Sequence, residues 1–100
     1  MGKYLKVIWT TKAKEQLKSI YKYYKEEKHT LQGAKNVKND ILKASREITF
    51  VAQYQQDEIQ PEYRRIIVRH YKLLYKEIDG KIVILRIFNT YKKPENQLNT

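Results

Sequence analysis

Asp79-Gly80 constrains this chain more than any other feature, because it sits between two runs of strand-forming residues, 71–78 and 81–88. A tight type I′ turn needs positive φ at both central residues, and Asp-Gly supplies it. The first run alternates: Tyr71, Leu73 and Tyr75 face one way, and Lys72, Leu74 and Lys76 the other. The second run is almost continuously apolar, as expected of a strand covered on both faces. An Ile- and Val-rich run at 63–68 precedes them, so residues 63–94 read as three consecutive strands. The rest of the chain has to supply whatever covers this sheet.

Residues 4–9 predict a first strand, with Leu5, Val7 and Trp9 alternating against Lys6 and Ile8. Thr10-Thr11 then offers a hydroxyl to cap a helix. Ala13, Leu17, Ile20, Tyr21 and Tyr24 form its apolar stripe, and the helix is expected to end near residues 26–28. After the short connection Lys28-His29-Thr30, a second helix is expected over about residues 31–50, striped by Ala34, Val37, Ile41, Ala44 and Ile48. So short a link makes the pair an antiparallel hairpin. The polar run QYQQDEIQP reads as a surface loop with room for one helical turn, and residues 89–100 as a polar tail. The expected order is β-α-α-β-β-β, an α+β fold with a helical hairpin on a mainly antiparallel sheet. The spacing leaves the sheet position of the first strand open.

At 100 residues the chain is expected to form a single domain over 1–100, with one modest core. It carries 21 Lys+Arg against 11 Asp+Glu, a formal net charge of +10 spread along its length. Such a field favours nucleic acid, an anionic membrane surface or an acidic protein. Cysteine is absent, which excludes disulfides and thiolate metal sites and fits a reducing cytosol. No run approaches the roughly 20 apolar residues of a membrane span. The two histidines, His29 and His70, stand at unrelated positions, so no metal or other cofactor is implied.

The opening V-I-W-T with the stripe Ala13, Leu17, Ile20, and YRRIIVRHYKLLYKEIDGKIVILRIFNTYKKPENQL at the other end, resemble RelE/ParE-family toxins of bacterial toxin–antitoxin pairs. The family's closing block has the same order: an arginine pair before an Ile/Val strand, an aromatic-basic-aliphatic-aliphatic-Tyr strand, an acidic-Gly turn, a strand ending Arg-Ile-Phe, and a basic tail with Pro. The resemblance covers roughly residues 4–98. It implies a small cytoplasmic toxin, neutralised by an acidic antitoxin. It implies one of two targets: DNA gyrase, inhibited without hydrolysis, or the translating ribosome, whose mRNA is cut. A non-toxic basic binding module is the third reading.

Metal-independent RNA cleavage uses the 2′-OH as nucleophile, so the site must remove its proton, neutralise the phosphorane and protonate the leaving oxygen. The catalytic candidates for that chemistry are Lys72, Tyr91 and Arg65, on an exposed basic face. Arg64, Arg65, Lys72, Arg86, Lys92 and Lys93 are the candidates for contacting nucleic acid or target. Arg64 and Arg65 are adjacent on a strand and point to opposite faces, so a given site takes only one of them. Lys72 and Tyr91 stand where RNA-cleaving relatives often have arginine, and these departures favour the gyrase reading. His70, in the turn after Val68, is expected to be exposed and chemically idle, and Tyr63, Tyr71 and Tyr75 to be core or interface aromatics. The lysines of the first helix, Lys14, Lys18, Lys22 and Lys25, read as a solvated face.

Overall fold

The fold is taken from a computed structural model that describes residues 6–92 and Gln97. Its order is β1 (Lys6–Trp9), α1 (Thr11–Lys22), α2 (Leu31–Arg46), β2 (Arg64–Val68), β3 (Tyr71–Ile78) and β4 (Lys81–Asn89). The expected β-α-α-β-β-β order is therefore present. Tyr4 and Leu5 of the expected first strand, and Lys93 and Pro94 of the tail, lie outside the described residues.

The strands form one sheet in the order β1-β4-β3-β2. β2, β3 and β4 run antiparallel, joined by tight turns, while β1 lies parallel to β4 with Val7 opposite Ile82 and Trp9 opposite Ile84. The sheet is thus mixed, and β1 takes the edge beyond β4. The helical hairpin provides the long crossover that a parallel pairing requires. Asp79 and Gly80 both have positive φ, 52° and 76°, and form the β3–β4 turn as the dipeptide predicts. A second turn, Arg69-His70, joins β2 to β3, with Arg69 at φ 58°. Arg69 reaches back to α2, where its guanidinium holds Asp40 at 2.8 Å.

Each helix starts on a threonine. Thr10 accepts from the Ala13 amide at 3.1 Å, and Thr30 from the Gly33 amide at 2.9 Å. These bonds satisfy amides that the first turn leaves without intrahelical partners. α1 runs into a π-helical turn, Tyr23–Glu27, which closes the helix near its expected end. α2 stops at Arg46, short of the expected end near residue 50. There the Gln53 side chain accepts from the Thr49 amide at 2.7 Å and donates to the Glu47 carbonyl, turning the chain into a short 3₁₀ segment at Val51–Gln53.

Both helices lie on one face of the sheet. Ala13 and Ile48 are buried there with Ile66, Tyr75, Ile82 and Ile84, and Leu17, Val37 and Ile41 with Tyr71, Leu73 and Ile87; Ala34 is buried as well. Ile20 and Tyr24, also expected to be buried, are half-buried at the hairpin's outer end. A bulge between Leu74 and Tyr75 keeps this face apolar: Leu74 pairs with Arg86 but Tyr75 pairs with Ile84, so Leu85 is the extra residue. β1 stops at Trp9, and the freed edge of β4 is capped by other groups. Thr10 Oγ1 donates to the Leu85 carbonyl at 2.9 Å, and Gln16 Oε1 accepts from the Ile87 amide at 2.7 Å.

Candidate functional site

The helix-free face of the sheet carries three of the basic candidates, Arg65, Lys72 and Arg86. Arg65 pairs with Leu74, and Leu74 with Arg86, so these three stand in one row on that face. Lys72 stands in the next row, between Ile67 and Phe88. Arg64 points to the opposite face, as strand alternation requires, where its guanidinium donates to the Tyr54 carbonyl at 2.9 Å.

The face is not open, and here the sequence expectation needs correction. Lys72, expected on an exposed surface, is only 6 % exposed. Its ammonium lies 2.7 Å from Asp57 Oδ1, and the Asp57 side chain is fully buried. Asp57 belongs to the stretch read as a surface loop. Its other carboxylate oxygen accepts from the Ile59 and Gln60 amides and from Gln97 Nε2, at 3.2, 2.8 and 2.9 Å. Gln97 Nε2 also donates to Gln60 Oε1 at 2.6 Å. A charge taken out of water needs a partner and filled hydrogen bonds, and both are present. Burial pushes the Asp57 carboxyl up, but the hydrogen bonds from Lys72, Gln97 and the Gln60 backbone, with the Lys72 charge, outweigh it and hold the group below its ordinary value.

Arg65 is drawn to the same loop. Its Nη2 donates to Gln55 Oε1 at 3.0 Å, and its Nε lies 3.8 Å from Glu58, too far for a hydrogen bond. Arg86 is half-buried on β4. The loop over 55–60 and Gln97 thus engage Lys72 and Arg65 from above the sheet. Periodicity gave no sign of this, because Asp57 sits in a polar run with no regular spacing. The only available signal was the acidic pair Asp57-Glu58 in an otherwise uncharged run.

Tyr91 and Lys92 follow β4 and are exposed, and Lys93 lies outside the described residues. Tyr91 is 82 % exposed, yet its ring lies flat on His70, with centroids 4.4 Å apart and planes 4° apart. His70 in turn packs on Tyr71 at 4.2 Å. Instead of standing alone in its turn, His70 is half-buried between two phenol rings. Burial, followed by a hydrogen bond with Tyr24, raises the Tyr71 phenol far above its ordinary value, so Tyr71 stays neutral. Among the described residues no group of His and acidic side chains has metal-binding geometry, and no helix is long and apolar enough to cross a membrane.

A helical hairpin on one face of a four-stranded mixed sheet, with a parallel first strand, defines a RelE/ParE-type toxin fold. The family model for the ParE toxin of type II toxin–antitoxin systems matches residues 7–93, and the chain belongs to that family. Among solved structures it is similar to a chain of the chromosomal ParDE toxin–antitoxin system from P. aeruginosa. That match has a TM-score of 0.75 at 23 % identity and covers 86 % of this chain and 96 % of the other. No curated protein matches the chain.

Proposed function

We propose that this chain is the toxin of a type II pair, restrained by an acidic antitoxin, and that it acts by inhibiting DNA gyrase rather than by cutting mRNA. The observation that supports this reading is the Lys72–Asp57 pair. A phosphate-neutralising site needs cations free to meet the transition state. Lys72 is instead buried against a carboxylate, and Arg65 is drawn to Gln55 and Glu58. Inhibition of a protein target needs no chemistry from these groups, only a surface. The net charge of +10 supports an acidic antitoxin as the restraining partner.

Ribosome-dependent mRNA cleavage remains the second reading, and one contact favours it. Tyr91 and His70 lie face to face, and both side chains can move protons. The two readings separate in one pair of measurements: a gyrase supercoiling assay with purified protein, and mapping of mRNA 5′ ends after induced expression. Blocked supercoiling with intact message is the expected result. New cuts at codon-phased positions with normal supercoiling would reverse the assignment. If neither effect is seen, the chain is a non-toxic binding module.

A further inference from the structure

An open groove runs along one end of the fold, between α1 and the end of β4, and a chain of aromatic rings lines it. Tyr23, Tyr24, Tyr71, His70 and Tyr91 all face it. They connect in that order. Tyr23 stands edge-on to Tyr24 at 5.5 Å, Tyr24 packs against the core cluster that contains Tyr71, Tyr71 packs on His70, and His70 lies flat under Tyr91. The middle rings are buried or half-buried and are accounted for by packing. The end rings are not: Tyr23 is 46 % exposed and Tyr91 82 %. Burial gives no reason to hold Tyr91 flat on a histidine with its outer face in water.

Cations flank the rings. Lys12, Lys28 and Lys92 line the same groove, and among the described residues none has a carboxylate within 4.0 Å. The Lys28 ammonium lies 5.9 Å from the Tyr23 ring centre. Two acids, Glu15 and Glu58, also line the groove, but Glu58 lies near Arg65, so the balance stays positive. Exposed aromatic faces beside a line of cations are what a single-stranded nucleic acid uses, with bases stacking and phosphates meeting the lysines. A duplex hides its base faces, and an acidic peptide would use the lysines but leave the outward rings idle.

We propose that this groove binds single-stranded DNA, with bases stacked on the outer faces of Tyr91 and Tyr23 and phosphates meeting Lys12, Lys28 and Lys92. The choice of DNA over RNA rests on the gyrase reading above, gyrase being an enzyme that acts on DNA. Binding of the full-length chain to a fluorescent oligothymidylate, followed by anisotropy without gyrase, tests it. Affinity should fall as salt rises. Tyr91→Ala and Tyr23→Ala should each weaken binding about tenfold. Tyr91→Phe, which keeps the stacking ring, should bind like the parent. Lys81→Ala, at the other end of β4, removes the same charge as a groove lysine and should change affinity less than about twofold. Thermal melts of each variant establish that it is folded.

The proposal is overturned if oligothymidylate does not bind at low salt, if duplex of the same length binds as well, or if neither tyrosine matters in folded protein. Tighter binding of oligouridylate would overturn the assignment to DNA. Because the assay contains no gyrase, lost supercoiling inhibition with intact oligothymidylate binding would count against the gyrase reading and not the groove. The opposite pattern would count against the groove alone.

Discussion

Lys72 Nζ and Asp57 Oδ1 lie 2.7 Å apart, with the two side chains 8 % and 0 % exposed. The pair joins the start of β3 to a loop fifteen residues earlier in the chain. Removing one member of such a pair strands the other charge in a dry site. Lys72→Ala is therefore expected to cost about 3–5 kcal/mol in urea denaturation, and replacing both residues by apolar ones of similar volume much less. A Lys72→Ala protein as stable as the parent would show that the pair is not buried in solution. Loss of toxicity in Lys72→Ala is accordingly no sign of catalysis unless the variant is shown to be folded.

The same carboxyl sets an acid limit. Asp57 has its folded pKa below its ordinary value of 3.8, so its contribution is fully present above that value. It is lost as pH falls through the folded value, because the proton then binds both states alike. The stability gap between the parent and Asp57→Asn should be constant between about pH 5 and 7 and should narrow only below about pH 4. A gap that closes already near neutrality would mean that another group is responsible.

Ile41 is fully buried between α2 and the sheet, among Leu17, Val37, Tyr71, Leu73 and Ile87. Truncation to alanine removes packed volume that neighbours refill only in part. The expected loss is about 2–5 kcal/mol, read by chemical denaturation. A loss below about 1 kcal/mol would place Ile41 outside the core.

Gly80 has φ 76°, and a Cβ built there meets nothing within 4 Å. Gly80→Ala therefore isolates the backbone term. About 1–2 kcal/mol of destabilisation is expected from forcing an L-residue into the left-handed region. An unchanged thermal midpoint would argue that the turn adapts.

Association with the antitoxin should be steered by charge. With a net charge of +10 here and an acidic partner, the on-rate should fall about tenfold or more between low and high salt, while dissociation changes less. Stopped-flow mixing at several ionic strengths measures this. An on-rate indifferent to salt would remove electrostatics from the encounter.

Where a physical rule acts over a few residues, the sequence was a sufficient guide. Asp79-Gly80 located the β3–β4 hairpin, the alternation of 71–78 put Tyr71, Leu73 and Tyr75 together on one face, and Thr10 marked the start of α1. The parallel pairing of β1 with β4 joins residues more than seventy positions apart, and no local pattern encodes it. The role of Asp57 was hidden for the same reason. A polar run is also what a solvated loop looks like, and only the tertiary arrangement brings Lys72 and Gln97 to it. The candidate site was half legible. Strand alternation correctly separated Arg64 from Arg65, but it could not reveal that the face carrying Lys72 is covered.

The Gln16 side chain, whose oxygen accepts from the Ile87 amide, has a consequence for how copies of this toxin behave at high concentration. A strand edge with unmet amides is a template for recruiting the same strand from a neighbouring molecule. Here a glutamine amide projecting from α1 occupies the hydrogen-bonding position a foreign strand would take. It does so without extending the ladder, since a side chain offers no further rung. The short first strand can thus leave part of the sheet uncovered without inviting fibre-like self-association.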